Sequence, residues 1–122
     1  MNSEELIRKL RDAFREEAQE RLRTISTSLA ALEEALSYPE QQKPILETLF
    51  REAHSLKGAS RVVNLEAVES LSQSAEETFG ALKREEIRLS PALFEEVCHT
   101  VDSIKAVLMN FEKGQTPVRG VA

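Results

Sequence analysis

The chain has 122 residues, of which 41% are hydrophobic and 30% charged, and its formal net charge at pH 7 is −5. This length is enough for one hydrophobic core but not for two. The acidic balance argues against nucleic-acid binding, which ordinarily needs a basic face. A single cysteine, Cys98, excludes an internal disulfide and is typical of a reducing cytoplasm.

The composition also indicates a helical protein. Aromatic residues make up 5% of the chain, tryptophan is absent, and glycine and proline number four each. Runs that alternate Val, Ile and Thr in the manner of strands are missing. The sequence shows no charged-then-apolar leader and no apolar run of about 18 residues, so neither secretion nor a membrane span is indicated. We therefore expect a cytoplasmic, all-α domain.

The first predicted helix runs from about Ser3 to Ser37, with Glu4 and Glu5 as acids in its first turn. A helix of this length spans roughly 50 Å at about 1.5 Å per residue. It either overhangs the bundle or breaks near residues 16–20, where the apolar stripe thins. The stripe itself has spacings of three and four and consists of Leu6, Leu10, Phe14, Ala18, Leu22, Ile25, Leu29, Leu32 and Leu36.

Helix-capping and helix-breaking residues divide the rest of the chain into three further predicted helices. Residues 38–43 are predicted to form a connector, with Pro44 in the first turn of the second helix. Asn64 tolerates the left-handed conformation and is expected to close that helix. The third helix follows at once, and the fourth begins with Ser90 as cap and Pro91 at its first position. The positions predicted to face the core are Leu46, Leu49, Ala53, Leu56, Ser60 and Val63, then Val68, Leu71, Ala75, Phe79 and Leu82, then Phe94, Val97, Val101, Ile104 and Leu108.

Short connections between amphipathic helices predict an antiparallel up-down four-helix bundle with a long N-terminal helix. We assign this bundle to residues 1–113. Residues 114–122 contain two glycines and a proline without an apolar period, and we expect a flexible linker or tail there. A chain that ends in a linker is expected to be the front part of a longer polypeptide.

A histidine on the second helix gives the clearest functional signal. At about 100° per residue, His54 lies roughly 130° from the centre of the apolar arc, on its solvent flank. Lys57 lies nearer the seam with the next helix, Gly58 lies beside His54, and Arg61 follows further along. Glycine inside a helix costs about 0.5–1 kcal/mol relative to alanine, so Gly58 suggests a steric purpose such as close approach of another surface.

The third helix offers this histidine a partner. If Asn64 marks the hairpin turn, His54 lies ten residues before it and Glu76 twelve after it, at heights of roughly 15 and 18 Å. A carboxylate that accepts the Nδ1–H bond leaves the Nε2 lone pair free and stabilises the ring as Nε2 attacks phosphorus. Lys57, with Arg61 as a secondary candidate, would offset the charge of an arriving phosphoryl group. The pattern predicts a phosphohistidine carrier.

Ordinary structural explanations also exist for these residues. An exposed histidine on a charged helix is most often only a solvated side chain. Lys57 can be ordinary surface charge, and Glu76 with Glu77 can be a solvated acidic pair. Gly58 can serve close helix packing instead of an external surface.

At residues 49–60, which read LFREAHSLKGAS, the chain resembles the histidine-containing phosphotransfer (Hpt) domain family. It resembles in particular the amino-terminal domain of chemotaxis-type, CheA-like histidine kinases, over most of residues 3–112. The resemblance implies a four-helix bundle in which His54 is phosphorylated at Nε2. It also implies that Lys57 is the neighbouring cation and Glu76 the imidazole partner. Gln73 matches a position that is polar in similar domains and is a secondary candidate.

Two positions depart from the family pattern. Asn64 stands where the family usually has a glycine, although asparagine can take the same backbone conformation. Arg61 replaces a small residue, which would strengthen phosphate contacts or narrow the set of docking partners. Neither change removes a reacting group.

The resemblance further implies the partners. A histidine kinase ATP-binding domain would donate the phosphoryl group, and a response-regulator receiver domain would accept it on an aspartate. We expect ATP and magnesium only on those partners, and no cofactor, metal, nucleic acid or membrane for this chain. The domain itself would be a phosphoacceptor without an ATP site, within a parent polypeptide that is a histidine protein kinase.

Two other classes of function compete with phosphotransfer. A di-metal bundle needs several inward acids and histidines, including a Glu three residues before a His. Only Glu96 before His99 satisfies that spacing, since Arg51 precedes His54. A structural or dimerising bundle could use the long first helix as an intermolecular seam, but it would not require His54, Lys57, Gly58 and Glu76 together.

Overall fold

The computed structural model describes residues 2–112 and contains four helices in those residues. They are α1 (Ser3–Glu34), α2 (Pro39–Val62), α3 (Glu66–Lys83) and α4 (Pro91–Glu112). Each helix packs against the next, and α4 returns to pack against α1. The predicted all-α, antiparallel four-helix bundle is therefore confirmed.

Helix α1 is continuous, and its N-terminal turns extend beyond the bundle. Asn2 caps it, because its side-chain oxygen accepts a 2.8 Å hydrogen bond from the Glu5 amide. Leu6 and Leu10 remain exposed, whereas Phe14 is the first residue of α1 that is fully buried. Of the two alternatives, overhang is the one observed. The helix ends at Glu34, three residues before the predicted end at Ser37.

Helix α2 begins earlier than predicted, so the proposed connector over residues 38–43 is wrong. Pro39 takes the first helical position, where no amide donor is needed, and Pro44 lies within the helix. Pro44 cannot bond to the Glu40 carbonyl, but Glu40 is exposed in the first turn, where water can satisfy that oxygen. The early start is supported by Gln42, whose side-chain amide donates to the Ala35 carbonyl at 2.9 Å.

The predicted turn between α2 and α3 is confirmed. Asn64 adopts a φ of 57°, in the left-handed region, and the Leu65 amide donates to the Ser60 carbonyl at 2.9 Å. The predicted start of α4 is also confirmed, since the Ser90 hydroxyl accepts from the Leu93 amide at 3.1 Å. The predicted core positions are buried, except that Leu71 and Phe94 are only half-buried.

Two polar contacts fasten α1 to its neighbours. The Arg21 guanidinium lies 3.1 Å from the Glu52 carboxylate of α2, whose side chain is only 10% exposed. On the opposite side, Arg11 stacks over the Phe111 ring at 4.2 Å and donates to the Phe111 carbonyl at 3.3 Å. Phe14 meets the same ring edge-on at 5.2 Å.

The predicted tail at residues 114–122 lies outside the described residues, and the domain boundary at residue 113 stays a prediction. Over residues 2–112, no helix combines the length and apolar character needed to cross a membrane.

The Arg21–Glu52 contact leads to a stability prediction. Arg21→Ala should lower the free energy of unfolding by about 1–3 kcal/mol, because it leaves the nearly buried Glu52 carboxylate without its α1 partner. Arg23→Ala is the matched control, since Arg23 pairs with Glu20 at an exposed site and should change stability by at most about 0.5 kcal/mol. Urea unfolding of both variants checks this. Equal stabilities would show that the α1–α2 pair does not hold the bundle.

Candidate functional site

His54 lies on the solvent side of α2, with its side chain 63% exposed. Its neighbours Ala53 and Leu56 are buried in the core and hold this stretch of the helix in place. The ring is therefore carried by a rigid scaffold while remaining reachable. Its placement matches the solvent flank predicted from the helical arc.

The predicted partner on α3 faces this ring. His54 Nδ1 lies 3.2 Å from Glu76 Oε2, across 22 residues of sequence. An ionised carboxylate can only accept hydrogen bonds, so in this contact Nδ1 carries the proton and donates. Because the two ring nitrogens lie on different edges, Nε2 points away from Glu76 with its lone pair free.

The same carboxylate also holds the nearby cation. Lys57 Nζ lies 2.8 Å from Glu76 Oε1, and the two side chains are only 16% and 14% exposed. The two oxygens of Glu76 are thus divided between an imidazole and an ammonium group. Lys57 and His54 are one helical turn apart on α2, so the positive charge stands beside the ring.

Gln73 is brought into the site by Lys57. Its side-chain oxygen accepts from Lys57 Nζ at 3.0 Å, and its amide donates to Glu77 Oε1 at 2.7 Å. The sequence predicted Gln73 only as a polar neighbour and gave Glu77 no role beyond a solvated acid. The spacing of four residues between Gln73 and Glu77 is the signal that could have indicated this bond.

The ionisation of Glu76 follows from these contacts. Burial by itself raises the pKa of the Glu76 carboxyl, but the contacts and charges of Lys57 and then His54 outweigh it. The pKa therefore lies below its usual value, and the group is a carboxylate at neutral pH.

Gly58 has open space in front of it. Apart from its chain neighbours and the adjacent backbone of α2, a Cβ atom built on Gly58 would meet no described atom within 4 Å, and the position is exposed. The alternative in which Gly58 serves close helix packing is therefore wrong. Gly80 on α3, which sequence reasoning did not single out, is the packed glycine, since its Cβ would lie 3.2 Å from the Phe50 ring.

Arg61 is the one candidate that the structure does not bring to the histidine. Its guanidinium Nε donates to Glu69 Oε2 at 2.8 Å, which ties α2 to α3 near the turn. Seven residues separate it from His54, or roughly 10 Å along the helix. A contact of Arg61 with phosphate stays a prediction.

The described residues also bear on the metal alternative. Over residues 2–112, no group of three or more His, Cys, Asp or Glu side chains is close enough together to hold a metal ion. His99 faces Glu95, at 4.0 Å, rather than Glu96. Burial raises the pKa of the Cys98 thiol, and the nearby Asp102 and Glu33 carboxylates raise it further.

The chain is similar to proteins of a known family. The sequence model of the Hpt domain family matches residues 9–107, a range that includes His54, Lys57 and Glu76. The chain belongs to the Hpt domain family. Members of this family carry phosphoryl groups in phosphorelays, and the Hpt domain is a carrier rather than a catalytic domain.

A curated relative gives more distant information. The sensor histidine kinase CheAY of Helicobacter pylori is 27% identical over 74 residues, which are 61% of this chain and 9% of that protein. The Hpt chain thus aligns with only a small part of that relative. No solved structure matches the chain.

The lowered pKa of Glu76 predicts a pH-dependent contribution to stability. The ionised carboxylate stabilises the fold above the ordinary carboxyl pKa, and this contribution is lost as the pH falls through the lowered value. The stability difference between the wild type and Glu76→Gln should therefore be largest near neutral pH and shrink in acid.

Denaturant unfolding across the pH range measures this difference, with Glu47→Gln on the exposed face of α2 as the matched control. A ¹³C NMR titration of the Glu76 carboxyl should have its midpoint below that of an ordinary glutamate, and Lys57→Met should raise it. A midpoint at or above the ordinary value would contradict the lowered pKa of Glu76.

Proposed function

We propose that this Hpt domain carries a phosphoryl group on His54 Nε2, accepts it from the ATP-binding domain of a histidine kinase and passes it to a receiver aspartate. The observation that carries the proposal is the contact between His54 Nδ1 and the ionised Glu76, 3.2 Å apart, with the ring otherwise exposed. This contact supports a single tautomer whose reactive nitrogen faces solvent.

The chemistry requires the nucleophile to be neutral before attack. The Nε2 lone pair attacks the γ-phosphorus of ATP bound to the kinase, the N–P bond forms, and the bond from phosphorus to the ADP oxygen breaks. The ring then carries positive charge, because Nδ1 keeps its proton, and the Glu76 carboxylate stabilises that charge. In the second transfer a receiver carboxylate oxygen attacks phosphorus, the N–P bond breaks, and neutral His54 returns.

Lys57 supplies the fixed positive charge in this proposal. Its ammonium group is held by Glu76 and Gln73 at 2.8 and 3.0 Å, so it has little freedom before a phosphoryl group arrives. A preorganised cation one turn from His54 would stabilise the negative charge of the phosphoryl oxygens without a large rearrangement of the Lys57 side chain. Gln73 is therefore assigned a positioning role.

The two partners must reach the same nitrogen at different times. The exposed ring and the open space at Gly58 support docking of either partner's surface along α2. The named relative is a sensor histidine kinase, which supports a kinase as the parent polypeptide here. We place the domain in the cytoplasm, with ATP and magnesium on the partner domains.

A structural or dimerising role without phosphotransfer is the alternative. The exposed Leu6 and Leu10 on the overhanging part of α1 favour it. A mass that rises with concentration in sedimentation equilibrium, together with no phosphate incorporation, would support this alternative over the carrier.

Replacement of the histidine tests the proposal directly. His54→Gln should abolish incorporation of acid-labile phosphate from a histidine kinase and ATP, while circular dichroism and melting temperature stay close to wild type, because the side chain is exposed. His99→Gln is the matched control, since His99 is also exposed and lies on α4. Wild-type labelling of the His54 variant would overturn the assignment.

Replacement of Gly58 separates stability from docking. Gly58→Ala should raise the free energy of unfolding by about 0.5–1 kcal/mol, because the Cβ meets no atom and alanine is the better helix former. Gly58→Leu should slow phosphotransfer to a receiver by roughly tenfold or more, which corresponds to about 1.4 kcal/mol of activation free energy.

The control is Ser103→Ala on the exposed face of α4. It should leave stopped-flow transfer rates at the wild-type value. Unchanged transfer by Gly58→Leu would show that no partner approaches this part of α2.

A further inference from the structure

A groove lies at the end of the bundle where α2 begins and α3 ends. Its volume is about 510 Å³, within the range of ligand-binding clefts. One wall is the start of α2, the other is the loop between α3 and α4, and Leu46 and Leu82 form a buried floor. Ile87 stands on the loop with 42% of its surface exposed.

The edge of this groove is basic, in contrast to the chain as a whole. Lys43, Lys83 and Arg88 line it together with a single acid, Glu85, whereas the net charge of the chain is −5. Within residues 2–112, Lys43 and Arg88 form no ion pair, whereas the paired arginines are Arg15, Arg21, Arg23, Arg61 and Arg84. These two cations are therefore available to another molecule.

Hydrogen bonds connect residues within both walls of the groove. Glu85 has a φ of 61° and turns the chain out of α3, where the Glu86 amide donates to the Ala81 carbonyl at 2.9 Å. Arg84 holds Glu86 through two contacts at 2.9 and 3.2 Å. On the other wall, Gln42 bonds to the end of α1. A preformed site loses less conformational entropy on binding than one that must first be ordered.

We propose that this groove binds an acidic peptide segment of a partner protein, with an apolar side chain against Leu46 and Ile87 and carboxylates at Lys43 and Arg88. Burial of a hydrophobic side chain against the apolar floor would contribute favourably to the free energy of binding. The unpaired cations at the edge favour carboxylates and disfavour basic segments. A wholly apolar peptide would leave both cations facing its hydrocarbon surface.

The groove is separate from the phosphoacceptor. Lys43 precedes His54 by eleven residues on α2, or roughly 16 Å along the helix axis. A bound peptide would therefore leave the His54 ring exposed. Peptide binding can be measured without phosphotransfer, so this inference and the carrier role fail independently.

Three fluorescein-labelled synthetic peptides of equal length serve as probes. The first alternates glutamates with leucines, the second replaces each glutamate with lysine, and the third keeps the glutamates but replaces each leucine with serine. Fluorescence anisotropy at low salt should show saturable binding of the first peptide and at least about tenfold weaker binding of the other two. ¹⁵N chemical-shift changes should map to Lys43, Leu46, Ile87 and Arg88.

Three variants test whether the peptide binds in the groove. Lys43→Glu combined with Arg88→Glu should weaken binding of the acidic, leucine-containing peptide at least about tenfold. Arg8→Glu combined with Lys9→Glu makes the same change in net charge on the exposed overhang of α1 and should leave the affinity unchanged. Ile87→Ser should weaken binding without loss of the fold, because Ile87 is exposed.

Three outcomes would overturn the proposal. They are equal binding of the basic peptide, shift changes that map away from the groove, and absence of saturable binding by the acidic, leucine-containing peptide up to about 1 mM, the weak end of specific recognition. Binding that persists in the Lys43→Glu, Arg88→Glu variant counts with the second outcome, because it also places the peptide outside the groove.

Discussion

Two side chains of α2 contact one carboxylate of α3. His54 Nδ1 lies 3.2 Å from one oxygen of Glu76, and Lys57 Nζ lies 2.8 Å from the other. The tautomer of the ring and the position of the ammonium group therefore depend on the same negative charge. Protonation of Glu76 would weaken both contacts at once. Substitutions at these three positions are expected to be non-additive, since each variant changes the environment of the other two groups.

This arrangement exists only if α2 and α3 keep their register. Each residue turns a helix by about 100°, so a shift of one residue in α3 would move Glu76 out of reach of His54. The register is set at the turn, where Asn64 adopts a φ of 57° and buried Val63 and Leu65 anchor both sides. The turn at Asn64 is thus consistent with the register that brings together residues ten or more positions away along both helices.

Periodicity and the position of Asn64 were enough to predict the bundle and the facing pair of His54 and Glu76. Both depend on local patterns and on the geometry of one short hairpin. The start of α2 was not predictable in the same way, because Pro39 and Pro44 both suit a first turn. The observed start is accompanied by a bond from the Gln42 side chain to the Ala35 carbonyl across the turn, which helical periodicity does not predict.

The sequence alone does not distinguish the packed Gly80 from the exposed Gly58. Both lie inside helices and carry the same intrinsic penalty of about 0.5–1 kcal/mol relative to alanine. At Gly80 the reason is internal, since a Cβ would lie 2.9 Å from Arg84 Nη1 and 3.2 Å from the Phe50 ring. At Gly58 a Cβ would meet no described atom within 4 Å beyond its chain neighbours and the adjacent backbone of α2. Nothing in the described domain offsets the penalty at Gly58, and this supports the proposed approach of a partner surface beside His54.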